Sequence, residues 1–253
     1  MNDADHNPTA QAIAVDHVSK SIGRRQILRD ISFAVAPGQA LCILGRSGIG
    51  KSVTLKLMIA LLRPDTGKIW IDGDNIAQLH DGALSRVRRK MGFLFQTGAL
   101  FDSLTLHDNI ALPLRRLTTK SEQEIERMVD QVLAEVGLDA DKYKMPVELS
   151  GGMQKRAGLA RALVLDPKVL LVDEPSSGLD RITASEIDDL LLDQKTRRKT
   201  TMVIVTHDVQ GARRLGDRFA VLGEEHLLAF GTAADLDRSE NDTVQKLFSE
   251  KLR

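Results

Sequence analysis

The run Gly45-Arg46-Ser47-Gly48-Ile49-Gly50-Lys51-Ser52 fits the spacing G-x-x-x-x-G-K-[ST]. Backbone N–H groups can surround phosphate oxygens in such a loop only where no Cβ intrudes, and the glycines make that room. Lys51 then reaches the β- and γ-phosphates and Ser52 offers a hydroxyl to Mg²⁺. The helix that follows directs the positive end of its dipole at the anion. This is the chemistry of a nucleoside triphosphate. Downstream, Val169-Leu170-Leu171-Val172-Asp173-Glu174 places two carboxylates at the end of an apolar strand. Alone, such a pair commonly marks a turn or a helix start. Beside a phosphate loop it suits phosphoryl transfer, which depends on positioning and charge stabilisation: Asp173 to hold the metal, usually through water, and Glu174 to orient and polarise the attacking water.

A third feature is Leu149-Ser150-Gly151-Gly152-Met153. Ser150 is suited to cap the following helix, and a capped helix with glycine in its first turn is also an anion site. The order along the chain is phosphate loop, Gln96, Leu149 to Met153, Asp173-Glu174, Ser177-Gly178-Leu179-Asp180 and His207. Chance matches to the phosphate loop and the Leu149 motif would coincide in on the order of one chain in ten thousand. With these motifs the chain resembles the ATP-binding-cassette (ABC) ATPases over nearly its whole length.

The resemblance implies ATP as the nucleotide and Mg²⁺ at Ser52, Gln96 and Asp173. It implies catalytic parts for Glu174, Gln96 and His207, with Gln96 joining a helical subdomain to the metal site and His207 contacting the γ-phosphate. By itself His207 reads as an ordinary surface histidine; its place after Thr201-Met202-Val203-Ile204-Val205-Thr206 changes that. The resemblance further implies a second copy of the chain, with Asp180 at the seam. Each ATP lies between one copy's phosphate loop and the other's Ser150, Gly151 and Gly152, and integral-membrane permease subunits receive the motion. Two positions depart from the wider family. Ile22 stands where many relatives place an aromatic against adenine, giving apolar contact without a π-face. Met153 stands in place of glutamine.

The segments Phe95 to Phe101, Asp108 to Arg115 and Leu149 to Ala157 are similar to the MlaF-like subgroup, whose members serve bacterial phospholipid transport with an MCE-domain lipid-binding protein; Met153 is typical of that subgroup. This implies phospholipid movement between the inner and outer membranes, a small accessory subunit, and a peripheral location on the cytoplasmic face of the inner membrane. Alternatives are an importer or exporter of another substrate, a non-transport ABC protein, and a cassette without catalysis; the last is opposed by intact Lys51, Asp173 and Glu174.

The elements that must hold these residues are legible in outline. The chain has 253 residues, 42% of them hydrophobic, with 35 basic against 35 acidic side chains, so no overall field draws it to nucleic acid. No apolar run approaches the roughly 20 residues of a membrane span, and the first residues lack signal-peptide character, which predicts a cytoplasmic chain. Ile31, Phe33 and Val35 alternate, as do Ile69 and Ile71, predicting an antiparallel β start. Continuous apolar runs at 40–44, 169–172 and 202–205 read as buried parallel strands, and Cys42 in the first of them as a small buried side chain. From about 97 to 165 the pattern is mostly helical, with a clear helix from Ser121, capped with Glu124, to Gly137. The expected fold is α/β: a phosphate-loop ATPase core (about 11–96 and 166–231) with a mixed sheet, an antiparallel β subdomain, an inserted helical subdomain (about 97–165) and a helical tail (about 232–253). Leu100, Phe101 and Leu104 form a candidate socket for a permease helix. In the tail, Val244, Leu247, Phe248 and Leu252 predict one apolar side of a helix starting near Ser239, to be covered by its own domain or by a second subunit. Arg86, Arg88, Arg89 and Lys90 read as a solvated helix face, or as a contact for lipid headgroups or a partner's acidic loop.

With Ile22 in place of a stacking ring, GTP is expected to support hydrolysis within about tenfold of ATP, about 1.4 kcal/mol. Steady-state rates at matched nucleotide concentrations check this. A hundredfold preference for ATP would show that another ring holds the base.

Overall fold

The computed structural model describes residues 10–249. The chain enters through β1 (Ile13–Ile22), β2 (Arg25–Val35) and β3 (Ala40–Leu44), and the phosphate loop leads into α1 (Lys51–Met58). β4 (Thr66–Ile71), β5 (Asp74–Asn75), α2 (Asp81–Arg88) and β6 (Met91–Leu94) follow. Then come α3 (Leu106–Leu117), α4 (Glu122–Glu135) and α5 (Gly151–Leu163). β7 (Val169–Asp173), α6 (Arg181–Arg198), β8 (Thr201–Thr206), α7 (Val209–Leu215), β9 (Arg218–Gly223) and β10 (His226–Gly231) lead to two short helices, α8 (Ala233–Asp237) and α9 (Asp242–Ser249).

The strands form two sheets, one antiparallel in the order β2-β1-β4-β5 and one mixed in the order β10-β9-β3-β8-β7-β6. In the mixed sheet β9, β3, β8, β7 and β6 run parallel. This explains the continuous apolar runs, because a parallel strand covered on both faces has no solvent side. Within β3, Ala40, Cys42 and Leu44 join the core shared with the helices α3 to α7, whereas Leu41 and Ile43 join the core beneath the antiparallel sheet and α1. Each fully buried Leu or Ile contributes about 1.5–3 kcal/mol, so the strands of this sheet carry much of the core.

The helix from Ser121 has the expected capping box: Ser121 Oγ accepts from the Glu124 N–H, and the Glu124 carboxylate accepts from the Ser121 N–H. The stretch 97–105, in contrast, is not helical. Gly98 and Ala99 both have positive φ, 72° and 50°. Asn109, fully buried at the start of α3, holds the loop by accepting from the Phe101 N–H at 2.7 Å and donating to the Phe101 and Leu104 carbonyls at 3.1 Å each. Gly98 and Gly158 pack directly together, since a Cβ on Gly158 would lie 2.8 Å from the Gly98 Cα. That contact clamps α5 to the loop. Of the basic run, Arg88 donates to the Ile59 and Ala60 carbonyls and Lys90 pairs with Asp72 at 2.7 Å, so these two have local structural partners.

The tail packs on its own domain. Val244 is fully buried and Phe248 nearly so, with the Phe248 ring edge-on to Phe219 at 5.5 Å and beneath the Arg213 guanidinium at 4.6 Å. The last helix starts at Asp242 and not near Ser239, because Asn241 caps it by accepting from the Thr243 and Val244 N–H groups. Leu252 lies outside the described residues. Phe248→Ala is expected to lower stability by about 3–5 kcal/mol, measured by urea denaturation of the full chain. A loss below about 1 kcal/mol would show that this packing is dispensable.

Candidate active site

Four neighbouring parallel strands, β3, β8, β7 and β6, deliver the motif residues from their carboxyl ends, the usual place for ligands in open α/β sheets. β3 runs into Gly45, β8 into His207, β7 ends with Asp173 and passes to Glu174, and Gln96 follows β6. The register pairs Leu44 with Thr206 and Asp173 with Val205, so these ends are level.

Gly50 caps α1 with φ 112°, leaving the first N–H groups of that helix without a side-chain cap. Lys51, 5% exposed, donates from Nζ to the carbonyls of Gly45 at 2.8 Å and Arg46 at 3.2 Å, and so curls the loop around itself. The same ammonium lies 3.6 Å from Glu174 Oε1. The other Glu174 oxygen accepts from the His207 ring Nδ1–H at 2.8 Å and from the His207 backbone N–H at 3.3 Å. Glu174 holds this pose from a left-handed backbone, φ 49°, a conformation that costs about 1–3 kcal/mol and is retained only where its surroundings enforce it. Its N–H donates to the Val205 carbonyl at 2.8 Å, and its own carbonyl accepts from buried Lys155 Nζ at 2.8 Å.

Ser52 Oγ donates to Asp173 Oδ1 at 3.1 Å. Burial raises the Asp173 carboxyl above its ordinary range, and the Ser52 hydrogen bond only partly opposes this. A divalent cation would reverse that penalty. Ser52, Asp173 and Gln96 offer hard oxygen donors, too few to enclose an ion by themselves, and among the described residues no group of three or more His, Cys, Asp or Glu forms a metal cage. Such a set fits Mg²⁺, which keeps several waters and is completed by substrate phosphates.

A cleft of about 420 Å³ is lined by Ser47, Gly48, Gly50, Lys51, Ser52, Gln96, Glu174, Ser177 and His207, with Ile27 and Val53. Its lining contains no Phe, Tyr or Trp ring. Ile22 is not part of it; that residue sits at the tip of the β1–β2 hairpin, 51% exposed. Gln96 donates to Ser177 Oγ at 3.4 Å. Ser150 caps α5 by accepting from the Met153 N–H, and Ser150, Gly151 and Gly152 do not line this chain's cleft. Asp180 caps α6 in the same way, accepting from the Ile182 and Thr183 N–H groups. Ile27, Val53 and Lys155 are site neighbours that the motif reading did not name; the first two lie in ordinary apolar patterns and the third in a run of polar residues. A second hollow, between α4, α5 and α6, has its Arg198 ion-paired to Glu135 at 2.6 Å and Asp166 at 3.0 Å, leaving no cation there for a phosphate.

The strand, glycine loop and helix, with a carboxylate held beside the loop's lysine, define a nucleoside triphosphatase. The chain matches the ABC transporter family over residues 28–177. It is similar to the probable ribonucleotide transport ATP-binding protein mkl of Mycobacterium bovis, 44% identical over 96% of this chain and 67% of that protein. It is also similar to the intermembrane phospholipid transport system ATP-binding protein MlaF of Haemophilus influenzae, 38% identical over 90% of this chain and 87% of that protein. A dimeric ATP-binding cassette solved in a post-hydrolysis state with ADP and Pi superposes with TM-score 0.81 at 31% identity, over 87% of this chain and 98% of that one. The chain belongs to the ABC transporter family, as an ATP-binding subunit whose ATP hydrolysis is coupled to transport.

Glu174→Gln is expected to keep ATP binding and lose at least about 99% of hydrolysis, since an amide preserves shape but is a poor proton acceptor. Single-turnover hydrolysis beside nucleotide-binding titrations checks this, and wild-type turnover in the variant would remove Glu174 from the chemistry.

Proposed function

We propose that this chain powers phospholipid movement between the inner and outer membranes of a bacterium, helping to maintain the lipid asymmetry of the outer one. It does so as a peripheral subunit on the cytoplasmic face of the inner membrane, beneath integral-membrane permease subunits. An MCE-domain lipid-binding protein and a small accessory subunit complete the assembly. The observation that carries this reading is the similarity to MlaF, which extends over 87% of that protein. Among the described residues no helix is long and apolar enough to cross a membrane. The physical need for ATP follows from the cargo: withdrawing a two-chain lipid from a bilayer opposes about 0.8 kcal/mol per buried CH₂.

In this reading the phosphate loop and Lys51 bind the triphosphate, and Glu174, held by His207 and the Val205 carbonyl, orients a water and accepts its proton. His207 and Gln96 face the phosphate from β8 and β6. Ser52, Asp173 and Gln96 would hold Mg²⁺, which would neutralise charge on the phosphate oxygens. The position of Ser150, Gly151 and Gly152 outside their own cleft, together with the dimeric relative, supports a homodimer in which each copy completes the other's site. ATP then favours the closed pair and hydrolysis releases it, a population shift. Motion leaves through the loop after Gln96, where Phe101 is 52% exposed beside half-buried Leu100 and Leu104, on a scaffold fixed by Asn109. A permease helix fits this socket.

Similarity to mkl, named for ribonucleotide transport, supports a second reading with another cargo. Reconstitution of the complete transporter in liposomes decides between them. Labelled phospholipid transfer is expected to require ATP, to vanish with Lys51→Ala, and to fall at least about tenfold per ATP hydrolysed with Phe101→Asp. Transfer that persists with Lys51→Ala, or uptake of a soluble nucleotide in place of lipid, would sink the phospholipid reading.

A further inference from the structure

Lys155 lies one turn into α5, 5% exposed, in a helix whose amino end is the Ser150 cap. Its ammonium has no ion pair among the described residues, and its hydrogen bond is the one it donates to the Glu174 carbonyl at 2.8 Å. Burial pulls its pKa down, opposed by the charges of Glu174 and Asp173. A buried cation is costly unless its position does something that an apolar side chain of the same length cannot. Here it anchors the peptide after a glutamate with left-handed φ, whose carbonyl also accepts from the Ser177 N–H at 3.3 Å. With the Glu174 N–H held by the Val205 carbonyl and its own carbonyl held by Lys155, the backbone is constrained on both sides of the Cα, which limits the directions from which the carboxylate can meet Lys51 and His207.

Further along, the same helix grips the loop after Gln96. Gly158 packs on Gly98, and Arg161 donates to the Ala99 carbonyl at 2.7 Å and the Gly98 carbonyl at 3.2 Å. One rod of three and a half turns thus touches the Ser150 end, the Glu174 backbone and the loop that carries Phe101. We propose that Lys155 is a positioning residue for ATP hydrolysis: it ties the Glu174 backbone to α5, so that α5 holds the Glu174 carboxylate against Lys51 and His207. The inference rests on Glu174 being the residue that orients water.

A double-mutant cycle on the full chain tests it, with kcat and nucleotide affinity measured separately. Lys155→Met keeps the apolar stem and removes the donor. It is expected to lower kcat by about fivefold or more while nucleotide affinity stays within about twofold. In the Glu174→Gln background the same change is expected to alter the residual rate by less than about twofold, because the carboxylate it positions is already gone. A smaller loss in kcat, a loss that appears as weakened affinity, or a larger change in the Glu174→Gln background overturns the proposal. If Lys155→Met yields no folded protein, Lys155→Leu enters the same cycle with the same criteria. The Glu174→Gln arm separates the two readings: wild-type turnover there removes the role of Glu174 itself, whereas slow turnover there with fast Lys155→Met removes Lys155 alone.

Discussion

The arrangement depends on one pair of opposite charges, Lys51 and Glu174, held 3.6 Å apart at the base of the cleft. They issue from strands that are not adjacent: β8 lies between β3 and β7. Lys51 opens α1 after the phosphate loop, and the pair meets beside the β8 end, where His207 contacts the glutamate. Both charges are almost fully buried, and removing one partner of such a pair leaves an uncompensated charge out of water, which for Lys51 a bound phosphate can meet. A γ-phosphate entering the cleft competes with Glu174 for the lysine. Binding and preparation of the base are therefore linked by simple electrostatics.

Stiffness below the cleft makes this linkage reproducible. Every side chain of β3 is fully buried, and alternate residues belong to different cores. The strand ends can then impose strain on the turns that leave them, as at Glu174, because the sheet cannot relax to relieve it.

Much of this was legible in the residues themselves. Continuous apolar runs at 40–44, 169–172 and 202–205 marked parallel strands covered on both faces, and the Ser121 capping box marked a helix to within a residue or two. Strand order was not legible, because periodicity reports which face of a strand is buried and nothing about its neighbour; β8 inserted between β3 and β7 is a long-range fact. The loop 97–105 fell inside a stretch that reads as mostly helical, and Gly98 and Ala99, both with positive φ, break the helix there. The tail's stripe said that Val244 and Phe248 are covered, while the cover, Phe219 and Arg213, appears only in the folded chain. Lys155 was hidden for a similar reason: flanked by Gln154 and Arg156, it looks like any solvated helical lysine until the fold buries it.

Cys42 has a practical consequence. It is the chain's one cysteine, it is fully buried at the centre of β3, and desolvation pushes its thiol strongly up, away from the reactive thiolate. Maleimide and spin-label reagents will therefore pass over the native chain. A cysteine introduced at an exposed position such as Phe101 or Ile22 can be labelled selectively without first removing Cys42 from the core. Distances between such labels, across one subunit or between two, can then be followed spectroscopically through the nucleotide cycle in an otherwise native background.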